Sequence, residues 1–248
     1  LLQRIDRPLY AVEHEGRVAY SDDGWAMIGA NGRTGAVGER LRAAVPACFP
    51  GELGDETFRA DHGLRFAYVS GAMANGIASE RLVAEMSHAG MLGFFGAAGL
   101  SVDRVRQAVE RLQTELGNRP FGVNLIHSPN ESHTEEALVD LFIQRGVSLV
   151  EASAFLQLTP AVVRFRLHNI HRDADGRVVA PNRIVAKVSR EEIAEKFMSP
   201  PPEKILRKLV ESGAITDEQE YRAGGSPGGG DEAAGAGGVD VGPEVLDG

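Results

Sequence analysis

At 248 residues the chain exceeds one typical domain, yet it matches the size of a single α/β barrel of about 250 residues. Hydrophobic content of 43% and charged content of 25% are those of a soluble globular protein, and a net charge of −9 without a long basic run excludes a general attraction to nucleic acid or an anionic membrane. The single cysteine, Cys48, excludes an internal disulfide, and no run approaches the roughly 18 apolar residues of a membrane span, so a reducing cytoplasm is the expected compartment.

The chain opens on LLQRIDRPLY, which lacks the charged-then-apolar pattern of a signal peptide and an initiator Met, so it is expected not to begin at a natural start. Residues 8–20, PLYAVEHEGRVAY, read as two strands about a Glu15-Gly16 turn. Residues 36–60 carry Pro46, Pro50, Gly51 and Gly54 between short helical patches, which suits a lead-in lying against the main domain. Cys48 reads as a packed residue, and His14 and His62 as surface or packing histidines, since neither has a second ligand at metal spacing.

From Leu64 a regular grammar begins. A buried-type strand, Phe66 to Ser70, enters a small-residue turn, Gly71 to Gly76, and then a helix, Ser79 to Ala89, followed by a second apolar run, Met91 to Phe95. Continuous apolar strands joined by a crossover helix form a βαβ unit of a parallel sheet covered on both faces. The helix has Ser79 as N-cap and Leu82, Val83 and Met86 on one face. A second helix spans Ser101 to Leu116, with Val102, Val105, Val109, Leu112 and Leu116 at helical spacing.

Strand Phe121 to Leu125 follows, then a helix opened by a Ser132/Glu135 capping box and closed by Gly146, then strand Val147 to Ser153. Thr159 before Pro160 predicts a short helix to about Leu167. Asp175-Gly176 marks a hairpin excursion between HNIHRD and RVVA. Strand Arg183 to Val188 restores the pattern, Ser189 with Glu192 predicts another capped helix, and a last helix covers Pro202 to Ser212.

Five strands alternating with helices point to a (β/α)8 barrel or a doubly wound sheet. Five cannot close a barrel of eight, so the expected fold is α/β, a partial (β/α)8 TIM barrel over residues 61–219 with an open sheet edge, preceded by a small β-containing lead-in over 1–60. From Tyr221 the chain has ten glycines among 28 residues and no Lys, so residues 220–248 are expected to be a disordered tail.

In such folds ligands sit at the carboxyl ends of strands. Those ends carry Gly71 to Asn75, Gly96 to Gly99, Asn124 to Asn130, Glu151 to Phe155, and Lys187. The small residues at 71–76 serve either a flat ligand on bare peptide groups or close helix–strand packing. Asn124, inside an apolar strand, meets either a polar ligand or a neighbouring strand. Lys187, between Val185, Ala186 and Val188, is expected to be costly to bury, which favours a functional role over an ion pair with Glu151. His127 follows in a loop that faces a ligand or water and is a weak catalytic candidate. His168, His171, Asp173 and Asp175 read as a solvated turn, and no metal site is expected. There is no GxSxG elbow, P-loop or GxGxxG fingerprint.

The strings FRADHGLRFAYVSGAMANGIASERLVAEMSHAGMLGFFGAAGL, RPFGVNLIHSPNE, VEASAFLQLTPAVVRFR and NRIVAKVSR resemble the PfaD family of trans-acting enoyl reductases, relatives of nitronate monooxygenase (2-nitropropane dioxygenase), over about residues 55–219. The resemblance implies an FMN-binding (β/α)8 barrel, with Ala72, Met73 and Ala74 along the flavin, Asn124 in the strand-three motif and Lys187 near the flavin's polar edge. It implies reduction of FMN by NAD(P)H and hydride delivery to an enoyl thioester on an acyl carrier protein or synthase, in polyunsaturated fatty acid or polyketide biosynthesis. The family continues past the equivalent of Gln219 into a GGH motif and strands that hold the FMN phosphate. Here a glycine-acid tail follows, so a truncated or frame-shifted product that binds FMN weakly or not at all is expected. Two alternatives stand beside it: a nitronate monooxygenase, and an inactive fragment that docks on a synthase or carrier protein. A homodimer would cover the open edge.

Overall fold

The computed structural model describes residues 4–26, 38–129 and 132–224. Its N-terminal part is a three-stranded antiparallel sheet of β1 (Leu9–His14), β2 (Arg17–Ser21) and β3 (Arg40–Val45), in the order β2-β1-β3. The β1–β2 hairpin turns where predicted, with Glu15 and Gly16 both at positive φ, 48° and 74°, as a two-residue mirror-image turn requires. β3 corrects the helical reading of the lead-in: its RLRAAV pattern is mostly exposed, so no apolar alternation marks it as a strand. Within the same stretch, α1 (Glu56–His62) is a true helix, N-capped by Asp55 accepting from the Phe58 amide and stopped by Gly63 at φ 64°.

The second unit is a five-stranded parallel sheet of β4 (Val69–Ser70), β5 (Leu92–Phe95), β6 (Gly122–Ile126), β7 (Leu149–Ser153) and β10 (Arg183–Lys187), in the order β10-β7-β6-β5-β4. Strands are added in chain order on the same side, with α2 (Glu80–His88), α3 (Val102–Leu116), α4 (Ser132–Arg145) and α5 (Pro160–Leu167) as crossovers. A doubly wound sheet would reverse its order at a switch point; this one never does, which makes it a curled half-barrel. The first strand is shorter than expected, because residues 65–66 bond to the Gly90 carbonyl as a loop before regular pairing starts at Val69↔Leu92.

Ser79, Ser101 and Thr159 cap their helices as read, each accepting from the amide three residues on. One cap differs. α6 (Glu191–Met198) begins from Arg190 with no side-chain cap, so Ser189 does not open it. In α4 the Glu135 carboxylate meets His127 and Thr159, while the cap expected from Ser132 and Glu135 lies outside the described residues. The hairpin excursion pairs β8 (His171–Arg172) with β9 (Val178–Val179), and Asp173 accepts from the Asp175 and Arg177 amides across its turn. Beyond α7 (Glu203–Glu211) a short helix that the sequence did not suggest, α8 (Asp217–Arg222), continues the fold. The tail from residue 225 lies outside the described residues.

Period-two alternation divides the sheet into two faces. Outward-facing Phe95, Val123, Leu125, Val150, Ala152, Ile184 and Ala186 pack with the helix stripes in the main core. Inward-facing Leu92, Phe94 and Leu149 form a smaller cluster closed by Phe58 of α1, Leu64 and Val185. Arg183 donates to the Asp61 carbonyl, tying α1 to the start of β10. Both ties lie at the amino ends of the strands, so the inner face is apolar at its floor. Among the described residues no helix is long and apolar enough to cross a membrane.

Candidate functional site

At the carboxyl ends the inner face turns polar. Asn124 of β6 and Glu151 of β7 stand in register, each the inward residue of its strand. The Asn124 amide nitrogen donates to the Glu151 carbonyl at 3.1 Å, to Glu151 Oε2 at 3.4 Å and to Ser153 Oγ at 3.0 Å. Glu151 is 3% exposed, and its carboxylate also accepts from the Ala72 amide at 3.2 Å and from Lys187 Nζ at 3.3 Å. One buried carboxylate therefore joins β4's turn, β6 and β10. Charge burial of this kind is tolerated only when each oxygen is satisfied, and here an amide N–H, a carboxamide and an ammonium do so.

Ala72, Asn124 and Lys187 are thus brought to one point, with Met73 and Ala74 exposed next to it on the same rim. One premise is corrected: Lys187 is not buried, its side chain being 52% exposed, because β10 is an edge strand and its end reaches solvent. It makes the ion pair with Glu151 that was its alternative reading. Asn124 is satisfied by the neighbouring strand, the second of its two readings.

The residues 71–76 pack tightly. A β-carbon on Gly71 would sit 3.1 Å from Glu151 Oε1, and one on Gly96 would overlap the Met73 carbonyl oxygen. Close packing therefore accounts for Gly96 and disfavours a side chain at Gly71, while Ala72 packs half-buried on the inner apolar cluster and Ala74 is exposed.

A second cluster lies beside the first. His127, just past β6, donates its amide to the Ser153 carbonyl at 3.0 Å. Its Nδ1 is 2.8 Å from Glu135 Oε2, its ring stacks on Phe155 at 5.3 Å, and Thr159 Oγ1 donates to the other Glu135 oxygen. Ser153 is shared: its hydroxyl serves Asn124 and its carbonyl serves His127. Ala154, next in the chain, is held at φ 62°, a left-handed conformation costly for a residue with a β-carbon.

From the sequence, Glu151 and Ser153 fall within the strand-end stretch 151–155, with Glu151 weighed only as an ion-pair partner of Lys187, while Glu135 reads as a helix cap. The available signal was that Glu151 interrupts an apolar strand just as Asn124 does, one strand away. His62 is buried against Phe58, and His14 bonds Glu39 at the surface, as packing or surface histidines do. A cavity of about 40 Å³ between α5, β10 and α6, lined by Val162, Arg166, Ile184 and Phe197, is far smaller than the roughly 300 Å³ at which small-molecule sites begin. Among the described residues no group of three His, Cys, Asp or Glu side chains could hold a metal ion.

Residues 62–159 match the nitronate monooxygenase family. A polyunsaturated fatty acid synthase protein of Thraustochytrium sp. is 50% identical over 175 residues, which are 71% of this chain and 12% of that protein. Polyketide biosynthesis protein PksE of Bacillus subtilis is 46% identical over 165 residues, 66% of this chain and 22% of PksE. Among solved structures, the enoyl reductase domain of MlnA from the macrolactin biosynthesis cluster of Bacillus amyloliquefaciens superposes with a TM-score of 0.67 at 40% identity, over 69% of this chain and 39% of that one. The chain thus spans less than a quarter of the length of these curated relatives.

Proposed function

We propose that this chain, whose residues 62–159 carry a nitronate monooxygenase family segment, bears the cofactor rim of an FMN-dependent enoyl reductase. Its substrate would be an enoyl thioester on an acyl carrier protein of polyunsaturated fatty acid or polyketide synthesis, with NAD(P)H as reductant, in the cytoplasm. The observation that carries this reading is the Glu151-centred rim, on a half-barrel that superposes on the MlnA enoyl reductase domain. Relatives named as fatty acid synthase and polyketide biosynthesis proteins support a carrier-bound substrate.

The residues present fit a flavin. Turn 71–76 offers exposed positions with small side chains at Gly71 and Ala74 beside Met73, and a β-carbon at Gly71 would press on Glu151 Oε1 at 3.1 Å. Lys187 offers a half-exposed ammonium for an electron-rich ring edge, held in place by Glu151. Asn124 supports that carboxylate from below. Ala72, Met73, Ala74, Asn124 and Lys187 would hold the group, which when bound supplies hydride exchange with a nicotinamide and with the enoyl carbon. The chain's own task is the proton: reduction of a conjugated double bond needs one at the α-carbon, and His127 is the acid–base residue of this rim.

The family match equally favours a second reading, oxidation of nitronates on the same rim. Titrating the purified chain with FMN, then assaying NAD(P)H-dependent reduction of crotonyl-pantetheine against oxygen-dependent consumption of propyl nitronate, separates the two. Weak but saturable FMN binding, weakened about tenfold further (about 1.4 kcal/mol) in Lys187→Met, with crotonyl thioester as the faster substrate, is the expected result. Faster nitronate turnover favours the second reading, and binding weaker than about 1 mM overturns both in favour of a docking role.

A further inference from the structure

We infer that Glu135 is a positioning residue that holds His127 as its Nδ1–H tautomer, leaving Nε2 as the ring nitrogen that exchanges a proton at the rim. The functional half of this inference rests on the enoyl reductase reading above.

The hydrogen-bond chain has a direction. It starts at the Val162 amide, which can only donate and does so to Thr159 Oγ1 at 3.3 Å. With an oxygen lone pair occupied, the threonine hydroxyl hydrogen is directed to Glu135 Oε1. Glu135, a carboxylate accepting at one oxygen, then accepts at the other, so the hydrogen between Oε2 and His127 Nδ1, 2.8 Å apart, belongs to the imidazole. Among the described residues Nδ1 is the ring nitrogen with a hydrogen-bond partner.

The carboxylate is well placed for this task. Its side chain is 3% exposed and that of His127 is 16% exposed, so the solvent-facing part of the pair is the imidazole. Ring rotation is opposed by Phe155, which stacks on one side with the planes 30° apart, and the backbone that carries the ring is tied through the His127 amide to the Ser153 carbonyl. Phe155 in turn packs edge-on against Phe197 of α6. A solvated histidine needs none of this support; one that must present a chosen nitrogen does.

In the reaction proposed, a hydride equivalent derived from the nicotinamide nucleotide bonds to the β-carbon of the enoyl thioester. The π pair shifts to the α-carbon, the Nε2–H bond of the imidazolium breaks, and that proton forms the second C–H bond. The imidazole is left neutral with its remaining proton on Nδ1, against Glu135.

The test is histidine side-chain 15N NMR on the full chain at about pH 9, where imidazole is ordinarily neutral. His127 is assigned by the loss of its signals in His127→Asn. Wild type is expected to show a protonated Nδ1 and a pyridine-type Nε2, and Glu135→Gln, whose amide can donate to Nδ1, is expected to shift the proton toward Nε2. Kinetically, Glu135→Gln should lower kcat at least about tenfold while KM changes less than about twofold. A wild-type ring carrying its proton on Nε2 overturns the inference, whether or not enoyl reduction is seen. A protonated Nδ1 without any enoyl reduction supports the clamp and overturns the reductase reading instead. The wild-type spectrum decides the tautomer even where the variant does not fold.

Discussion

Lys187 Nζ lies 3.3 Å from Glu151 Oε2, and the two partners are unequally buried: the lysine side chain is 52% exposed and the glutamate side chain 4%. The pair is therefore lopsided in energy. Lys187→Met takes the cation from a buried carboxylate that keeps the Ala72 amide and the Asn124 carboxamide as donors, so it should cost about 1–2 kcal/mol, more than a surface ion pair. Glu151→Ala leaves the Ala72 amide and the Asn124 carboxamide short of an acceptor and should cost about 2–4 kcal/mol. Urea titrations of both variants check this, and equal losses would sink it.

Gly96 is where β5's end meets the turn that follows β4. Its amide donates to the Ala78 carbonyl and its carbonyl accepts from the Gly76 amide at 2.9 Å, while a β-carbon would overlap the Met73 carbonyl. Gly96→Ala must displace backbone, so a loss of about 3 kcal/mol or more is expected, at the upper end of overpacking costs. Gly51→Ala, where a β-carbon meets nothing within 4 Å, is the matched control and should change little. Thermal melts of the two distinguish a specific clash from a general cost of losing glycine.

Ala154 sits at φ 62° directly after the rim residue Ser153. Left-handed backbone costs a residue with a β-carbon about 1–2 kcal/mol, and glycine relieves it while losing up to about 1 kcal/mol in chain entropy. Ala154→Gly should therefore raise stability slightly, by up to about 1 kcal/mol. If the strain holds His127 and Asn124 in place, the same variant broadens the His127 ring resonances. A stabilised protein with unchanged resonances would show that the strain has no part in the rim's geometry.

Glu80, in the first turn of α2, meets Arg104 of α3 at 2.7 Å with its own side chain 11% exposed. The Arg104 hydrogen bond holds the Glu80 carboxyl below its ordinary value of 4.5, against an opposing push from burial. A depressed carboxyl stabilises the fold above the unfolded value and loses that contribution as pH falls through the folded one. The gap in melting temperature between wild type and Glu80→Gln should accordingly be constant near neutrality and shrink below about pH 4.5. A gap that widens on acidification would contradict the pairing.

Much of the fold was legible because its determinants are local. Three helix starts were readable from Ser79, Ser101 and Thr159, whose side chains cap the amide three residues on whatever the surrounding fold. Apolar runs near Leu92, Val123 and Val150 mark strands buried on both faces, and the run near Ile184 marks the edge strand β10, buried on its outward face. β3 and α8 escaped because their residues are largely exposed or polar, leaving no period to read. Ser189 with Glu192 three residues on is a capping signal only if the backbone enters the helix at the serine, and here it enters at Arg190.

The candidate site divides along the same line. Sequence by itself determined that Ala72, Met73, Ala74, Asn124, His127 and Lys187 follow or end parallel strands, because strand direction and side-chain alternation are properties of short segments. Only the tertiary structure decided that Glu151 is the residue through which Ala72, Asn124 and Lys187 meet, and that Glu135 clamps His127. Those contacts join positions 8 to 79 residues apart, and their existence depends on strand register and sheet curl, which no single segment encodes.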